Sequence, residues 1–299
     1  MKKLFRSNGK LLLTSEYFVL DGAKALALPT KKGQSLVVYP NDTKFLEWKS
    51  FDEQNKIWFE GKFGSDFKIV ISSDEKIANT LIKMLEKCKE INPHFNPFGN
   101  KIETFLEFPI NWGLGSSSTL INNLAQWAQI NPFKLLWKSF TGSGYDIANA
   151  FHDNPIVYYL KDKKPVVEEI DFSPDFRDQL YFVHLNQKQN SREGINHYRS
   201  LNINKKEIIQ KLNDSTKRIL KSKTLNVFEK ELNKHENIIS ESLAMERVQN
   251  HLFSEYSGVV KSLGAWGGDF VLVTFREEMY SYFNSKGYKV IIPFVDMIK

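Results

Sequence analysis

Cysteine is almost absent from this sequence: Cys88 stands alone among 299 residues. Without a partner in the chain it excludes a disulfide scaffold and fits a reduced, cytoplasmic setting. Long apolar runs are missing as well. The basic first residues lead only into Leu11-Leu12-Leu13, too short a run for a signal peptide. No stretch approaches the roughly 20 apolar residues of a membrane span, so no membrane partner is expected. Arginine is scarce, at 7 of 41 basic residues. The net charge of +6 is therefore a lysine excess, spread along the chain, with few aromatics in its densest patches. A nucleic-acid surface gathers arginines or stacking aromatics into one patch, so no nucleic-acid partner is expected either. A modest positive balance does suit a small anionic substrate. Repeats and low-complexity linkers are also lacking.

The composition that remains is that of a folded protein. Hydrophobic residues make up 41% of the chain and aromatics 13%, enough for a sizeable core, while 25% charged residues keep it soluble. That balance excludes global disorder. The first third reads mostly as strands: Ser35 to Tyr39, Phe45 to Trp48, Ile57 to Glu60 and Phe67 to Ile71, with turn residues between them. Ile77, Leu81, Met84, Leu85 and Cys88 then recur at helical spacing behind a cap at Ser73 or Asp74. Lys101 to Phe108 predicts a strand, Ser116 to Ile130 a helix, and Ile156 to Leu160 and Pro165 to Ile170 two more strands. The second half opens with a strand at Leu180 to Leu185 and runs through helices from about Ser191 to His251. It closes with strand Phe270 to Phe275, helix Glu277 to Ser285 and strand Tyr288 to Ile292. This order predicts an α+β fold with helices on one face of a sheet, and a boundary between residues 165 and 178.

Three glycine-rich loops carry the chemistry. In Pro109-Ile110-Asn111-Trp112-Gly113-Leu114-Gly115-Ser116-Ser117-Ser118-Thr119, two glycines let the backbone turn tightly and approach a ligand. The serines then open a helix, whose free N–H groups and positive dipole end favour a phosphate. The same residues also suit an ordinary serine-capped helix. Two familiar phosphate loops are excluded. No lysine precedes the serines as in a Walker loop, and Ser118 takes the place of the third glycine of a dinucleotide loop. Lys261-Ser262-Leu263-Gly264-Ala265-Trp266-Gly267-Gly268-Asp269 is the third loop in chain order, ahead of a strong strand. Gly142-Ser143-Gly144-Tyr145-Asp146 either caps a helix with Asp146 or brings its carboxylate to a substrate hydroxyl. Near the start, Ser7-Asn8-Gly9-Lys10 sets a lysine after a glycine, with Glu16 following.

Taken in order, these segments resemble the GHMP kinases, the family of galactokinase, homoserine kinase, mevalonate kinase and phosphomevalonate kinase. Gly9 to Tyr17, Pro109 to Ser118 and Gly264 to Gly268 are similar to its three motifs, and Gly142 to Ala148 to the stretch with its catalytic aspartate. The Gly-Tyr-Asp-Ile-Ala run looks like a bacterial subgroup near the mevalonate and phosphomevalonate kinases. The resemblance implies a two-domain α+β fold. An N-terminal domain, 1–170, would hold a left-handed βαβ unit, and a C-terminal domain, 171–299, would be ferredoxin-like. It implies ATP and Mg²⁺ as cofactors and a small-molecule acceptor as substrate, and leaves a homodimer open. Asp146 and Lys10 would be catalytic. Gly113, Leu114, Gly115, Ser116, Ser117 and Ser118 would hold the nucleotide phosphates, with Ser117 also serving the metal. Lys188, Ser191, Arg192, Gly264, Gly267 and Gly268 would hold the acceptor.

The family pattern is broken in two places. The metal-binding glutamate of mevalonate kinases falls at Leu135, which leaves the metal to Ser116 or Ser117, the phosphates and water. Trp266 stands where a glycine is usual, either blocking close backbone approach or walling the acceptor pocket. The lack of an acid at Leu135 and the presence of Asp269 lean toward phosphomevalonate over mevalonate. A homoserine or sugar kinase, a diphosphomevalonate decarboxylase and a non-catalytic binder remain as rivals.

Overall fold

The structure, a computed structural model, describes residues 1–187, 191–266 and 268–299. Its strands are β1 (Lys3–Leu12), β2 (Ala25–Pro40), β3 (Leu46–Phe51), β4 (Ile57–Phe63), β5 (Ile69–Ser72), β6 (Asn100–Leu106), β7 (Ile156–Lys161), β8 (Lys164–Glu169), β9 (Leu180–His184), β10 (Val260–Ser262), β11 (Phe270–Thr274) and β12 (Ile291–Pro293). The helices are α1 (Glu75–Ile91), α2 (Ser116–Ala128), α3 (Pro132–Ser139), α4 (Tyr145–Phe151), α5 (Ser191–Ser200), α6 (Lys205–Leu220), α7 (Leu225–Leu243), α8 (Val248–Leu252), α9 (Met279–Ser285) and α10 (Phe294–Met297). The fold is α+β, as the sequence predicts. It has a large mixed sheet, β5-β4-β3-β6-β2-β7-β8 with β1 paired to β2, and a separate antiparallel sheet, β10-β11-β9-β12.

Contacts group the chain into two compact units, and the grouping is not a single cut near residue 170. The first holds residues 1–9, 32–110 and 114–151; the second holds 10–31, 111–113 and the rest from 152. The chain passes between them within β1, within β2, within the loop ahead of α2 and at the end of α4.

In the first unit, β3 runs parallel to β6, while β4 pairs antiparallel with β3 and β5. Helices α1, α2 and α3 cover this sheet with one apolar core, which includes Trp48, Phe59, Leu85, Leu124 and Leu135. Helix α1 forms for the reasons its sequence announces. Asp74 caps it by accepting from the N–H groups of Lys76 and Ile77, and Ala78, Leu81, Met84, Leu85 and Cys88 line its buried stripe. The thiol of Cys88 is fully enclosed, and burial pushes its pKa up to about 12, so it is an inert core group.

The second unit carries the antiparallel sheet in the chain order β9, helices α5 to α8, β10, β11, α9, β12. That βαββαβ order, with β9 between β11 and β12, is the ferredoxin-like arrangement the resemblance implies. Helix α7 lies on β10 and presents a buried stripe of Phe228, Leu232, Ile239 and Leu243.

The cap on α1 is an exposed site with defined partners. Asp74→Ala should lower stability by about 1 kcal/mol, the usual worth of such a cap, without altering the unfolding slope in urea. A denaturation curve superimposable on that of the wild type would show that water satisfies those N–H groups equally well.

Candidate functional site

The loop before α2 owes its shape to two glycines in the left-handed region, Gly113 at φ +65° and Gly115 at φ +90°. Gly115 is the residue that caps α2, and having no side chain it leaves the first N–H groups of the helix without a side-chain acceptor. The hydroxyls do not fill that role. Ser118 is buried and donates back to the carbonyl of Gly115 at 2.9 Å, and Thr119 donates to Gln34 Oε1 at 2.8 Å. Leu114 is wholly buried, so only its backbone is offered. Ser116 is half-buried and Ser117 exposed. A helix that opens with bare N–H groups and two accessible serines fits an anionic phosphate group.

Helix α2 is fixed by buried amides. Asn122 donates to Ser7 Oγ at 2.9 Å, Ser7 donates to Asn123 Oδ1 at 2.6 Å, and Asn123 donates to the carbonyl of Gln34 at 2.9 Å. These groups are almost fully enclosed and join α2 to β1 and β2. Sequence reasoning passed over them; the signal was two adjacent asparagines in a helix that otherwise reads as apolar.

Asp146 opens α4, half-buried, with one carboxylate oxygen accepting from the N–H of Ile147 at 3.0 Å. Further along the helix, Asn149 donates to the carbonyl of Gly9 at 3.4 Å. The helix of Asp146 is thereby tied to β1 at the residue before Lys10. Leu135, where the family pattern has an acid, is fully buried in the core. Among the described residues there is no cluster of three or more His, Cys, Asp or Glu side chains able to hold a metal.

Inside the second unit three of the singled-out segments meet at Gly113. Lys10 Nζ donates to its carbonyl at 2.9 Å. The carboxylate of Asp269 lies against its Cα: a Cβ there would fall 2.0 Å from Oδ2. Trp112 packs edge-on against Phe270, and His184, at the end of β9, lies 5.0 Å ring to ring from Phe270. Burial lowers the pKa of His184 against opposing contacts with Asn111, Asp269 and Asn186, favouring its neutral form. Gly264 is at φ +59°, and its N–H donates to Leu12 of β1 at 3.4 Å. Gly268 is buried. Trp266 is 1% exposed and belongs to a buried apolar cluster with Phe18, Tyr198, Leu212 and Ile239.

Lys188 and Gly267 lie outside the described residues. Ser191 and Arg192 open α5.

The first motif ends in a buried charge cluster. Lys261, Glu16, Glu236 and His235 are all fully enclosed. Lys261 Nζ donates to Glu16 Oε1 at 2.6 Å and to Glu236 Oε1 at 3.0 Å. Burial alone would lower the pKa of Lys261, but the two carboxylates outweigh it and hold the ammonium charged. His235 accepts at Nε2 from the N–H of Ser15 at 2.9 Å, and burial, aided by Lys261, keeps it neutral. That contact supports the left-handed turn in which Ser15 and Tyr17 both sit at φ +62°. Glu236 and His235 went unnoticed in the sequence. Their signal is a gap in the α7 stripe, between Leu232 and Ile239, where the helical period calls for apolar side chains.

No protein-family model matches the chain, and no curated protein matches it in sequence. The likeness is in three dimensions. The chain has the fold of the GHMP small-molecule kinases, as the motifs imply. It superimposes on a Lactococcus lactis galactokinase complexed with galactose at TM-score 0.72 and 14% identity, covering 100% of this chain and 93% of the other. The Methanococcus jannaschii mevalonate kinase gives 0.69 and 16%, covering 98% and 97%. A Streptococcus pneumoniae phosphomevalonate kinase in complex with phosphomevalonate and AMPPNP gives 0.68 and 13%, with 95% of each chain covered.

Glu16 makes the cluster sensitive to pH. Burial chiefly, and repulsion from Glu236, raise its pKa from 4.5 to about 7 against the pull of Lys261. Between those values the folded protein keeps a proton that the unfolded chain has lost, so this group's contribution to stability falls as pH rises and is flat above about 7. Glu16→Gln removes the titration. The melting temperature of the wild type minus that of the variant should therefore decline from pH 4.5 to about 7. A constant difference across that range, measured by calorimetry, would show that Glu16 does not titrate there.

Proposed function

We propose that this protein is an ATP-dependent phosphotransferase that phosphorylates a small-molecule acceptor of the mevalonate pathway, with phosphomevalonate favoured over mevalonate. The observation that carries this reading is the convergence on one glycine-rich loop. Lys10 holds the carbonyl of Gly113, Asp269 lies against its Cα, and two residues later an uncapped helix begins. The preference for phosphomevalonate rests on Asp269 and on the apolar Leu135. A sugar acceptor is the second reading, since the similarity to galactokinase is of the same order.

In this reading the α2 N-terminus, with Ser116, Ser117 and the backbone of Gly113 to Gly115, holds the nucleotide phosphates. Ser117, exposed at the helix start, would serve the metal; Mg²⁺ held there with the nucleotide would supply positive charge against the phosphate oxygens. Asp146 orients the acceptor hydroxyl or phosphate and takes its proton. Lys10 offsets the charge that develops on the transferred phosphoryl group, and the protein's contribution is positioning and electrostatics. Ser191 and Arg192 at the start of α5, with Lys188 and the glycines Gly264, Gly267 and Gly268, hold the anionic end of the acceptor. The partners are then small molecules, in the cytoplasm, where the enclosed thiol of Cys88 is unremarkable.

The deciding experiment is an ADP-release assay across mevalonate, phosphomevalonate, diphosphomevalonate, homoserine and galactose. Turnover of phosphomevalonate is expected; release of carbon dioxide from diphosphomevalonate would identify a decarboxylase, and turnover of galactose alone the sugar kinase.

Two variants test the residues. Asp146→Asn keeps the shape and removes the base, so kcat should fall by roughly 10²- to 10⁴-fold while ATP still binds. Undiminished turnover by the folded variant would end that assignment. Arg192→Ala should raise the acceptor KM by roughly 10- to 150-fold, the worth of one charge-assisted contact, and leave the ATP KM nearly alone. An acceptor KM within about twofold of the wild type would mean that Arg192 does not read the substrate.

A further inference from the structure

In the second unit, residues 10–16 are joined to Lys261, Gly264 and Asp269 at three levels. At one end Lys261 Nζ bridges Glu16 at 2.6 Å and Glu236 at 3.0 Å, and donates to the carbonyl of Ser262 at 2.9 Å. In the middle the N–H of Gly264 meets the carbonyl of Leu12 at 3.4 Å. At the other end Lys10 Nζ takes the carbonyl of Gly113 at 2.9 Å, while the carboxylate of Asp269 presses on the same glycine's Cα. The sequence order is reversed across the three levels: 16 with 261, 12 with 264, and 10 with 269 through Gly113.

The first level is the costly one. An ammonium and two carboxylates are fully enclosed, and well-packed apolar side chains of the same volume commonly serve a core as well or better. What apolar side chains cannot supply is direction, because they tolerate sliding. An ammonium held by two carboxylates and a carbonyl has one register. The second carboxylate also reaches the backbone, since Glu236 Oε2 accepts from the N–H of Ser262 at 3.3 Å. Helix α7 therefore fixes the start of the third glycine loop, and Lys261 fixes that loop to the first motif.

We infer that Lys261 is a positioning residue: through its pairing with Glu16 it sets the register of the third glycine loop against the first motif, and with it the placement of Lys10 and Asp269 on Gly113. The inference rests on the kinase reading. It assigns Lys261 no contact with nucleotide or acceptor.

The test separates register from stability. In the triple variant Glu16→Gln/Glu236→Gln/Lys261→Met every buried charge is replaced by a neutral side chain of similar shape, so no orphaned charge remains. The expected result is a melting temperature near that of the wild type and ATP binding within about threefold by calorimetry, with kcat lowered at least tenfold. Recovery of kcat together with stability would show that the cluster only holds the core and would overturn the inference. If the triple variant does not fold, Glu16→Gln decides. It keeps the shape and, above about pH 7 where Glu16 is ionised, removes the charge that links the two segments, so at that pH kcat should fall at least threefold with the ATP KM within about twofold. Wild-type kcat in that variant would equally overturn it. The acceptor is whichever one the wild type turns over. A wild type that releases no ADP with any acceptor overturns the kinase reading and this inference together, whereas an active wild type matched by its variants overturns the inference alone.

Discussion

Gly113 can carry no side chain, and the geometry proposed for catalysis follows from that. A single methyl group there would fall on the carboxylate of Asp269, and the backbone is already in the left-handed region that L side chains avoid. Because the position is bare, the aspartate of the third loop reaches its Cα, while a lysine from the first strand takes its carbonyl. Segments roughly a hundred and a hundred and fifty residues apart are thereby brought to one peptide unit. The chain then needs only two more residues to start the helix whose bare N–H groups suit phosphate.

Polar groups that never reach solvent support this arrangement. In the first unit the amides of Asn122 and Asn123 orient α2 through Ser7 and Gln34. In the second, Lys261, Glu16 and Glu236 orient the segment that follows β10. Hydrogen bonds and ion pairs have direction and apolar contacts have little, so the two networks lie behind loops whose placement matters. The neighbouring apolar clusters supply most of the burial. Trp266 belongs to one of these clusters, its indole enclosed although it stands in a glycine-rich stretch of sequence.

The comparison structures share the fold at 13–16% identity, too low for side chains to be carried across without their own argument. The candidate site therefore rests on what these residues do in this chain. The uncapped α2 start, the tie from Asn149 to Gly9 and the Lys10–Gly113 contact are properties of this molecule.

Much was legible in the sequence for identifiable reasons. The strands from β3 onward except β10, the α1 stripe with its Asp74 cap and the α+β class followed from local periodicity and capping chemistry, which depend on neighbours a few residues away. The glycine loops were visible because glycine in a tight spacing marks unusual backbone wherever it occurs. The first strand, the early half of β2 and the short β10 escaped notice. They are stabilised by pairing with distant strands, and nothing in their own residues separates them from loops. Single positions escaped for the same reason: two readings of Trp266 stayed open, and Glu236 and His235 went unnoticed. Whether a side chain meets water, a carboxylate or the core is decided by segments far away in the chain. The sequence by itself determined which residue types were available and how each short stretch would fold. Only the tertiary structure decided that Lys10, Gly113 and Asp269 are neighbours and that Lys261 is buried between two carboxylates, because those are contacts across a hundred residues and more, or between a strand and a helix, and no local rule encodes them.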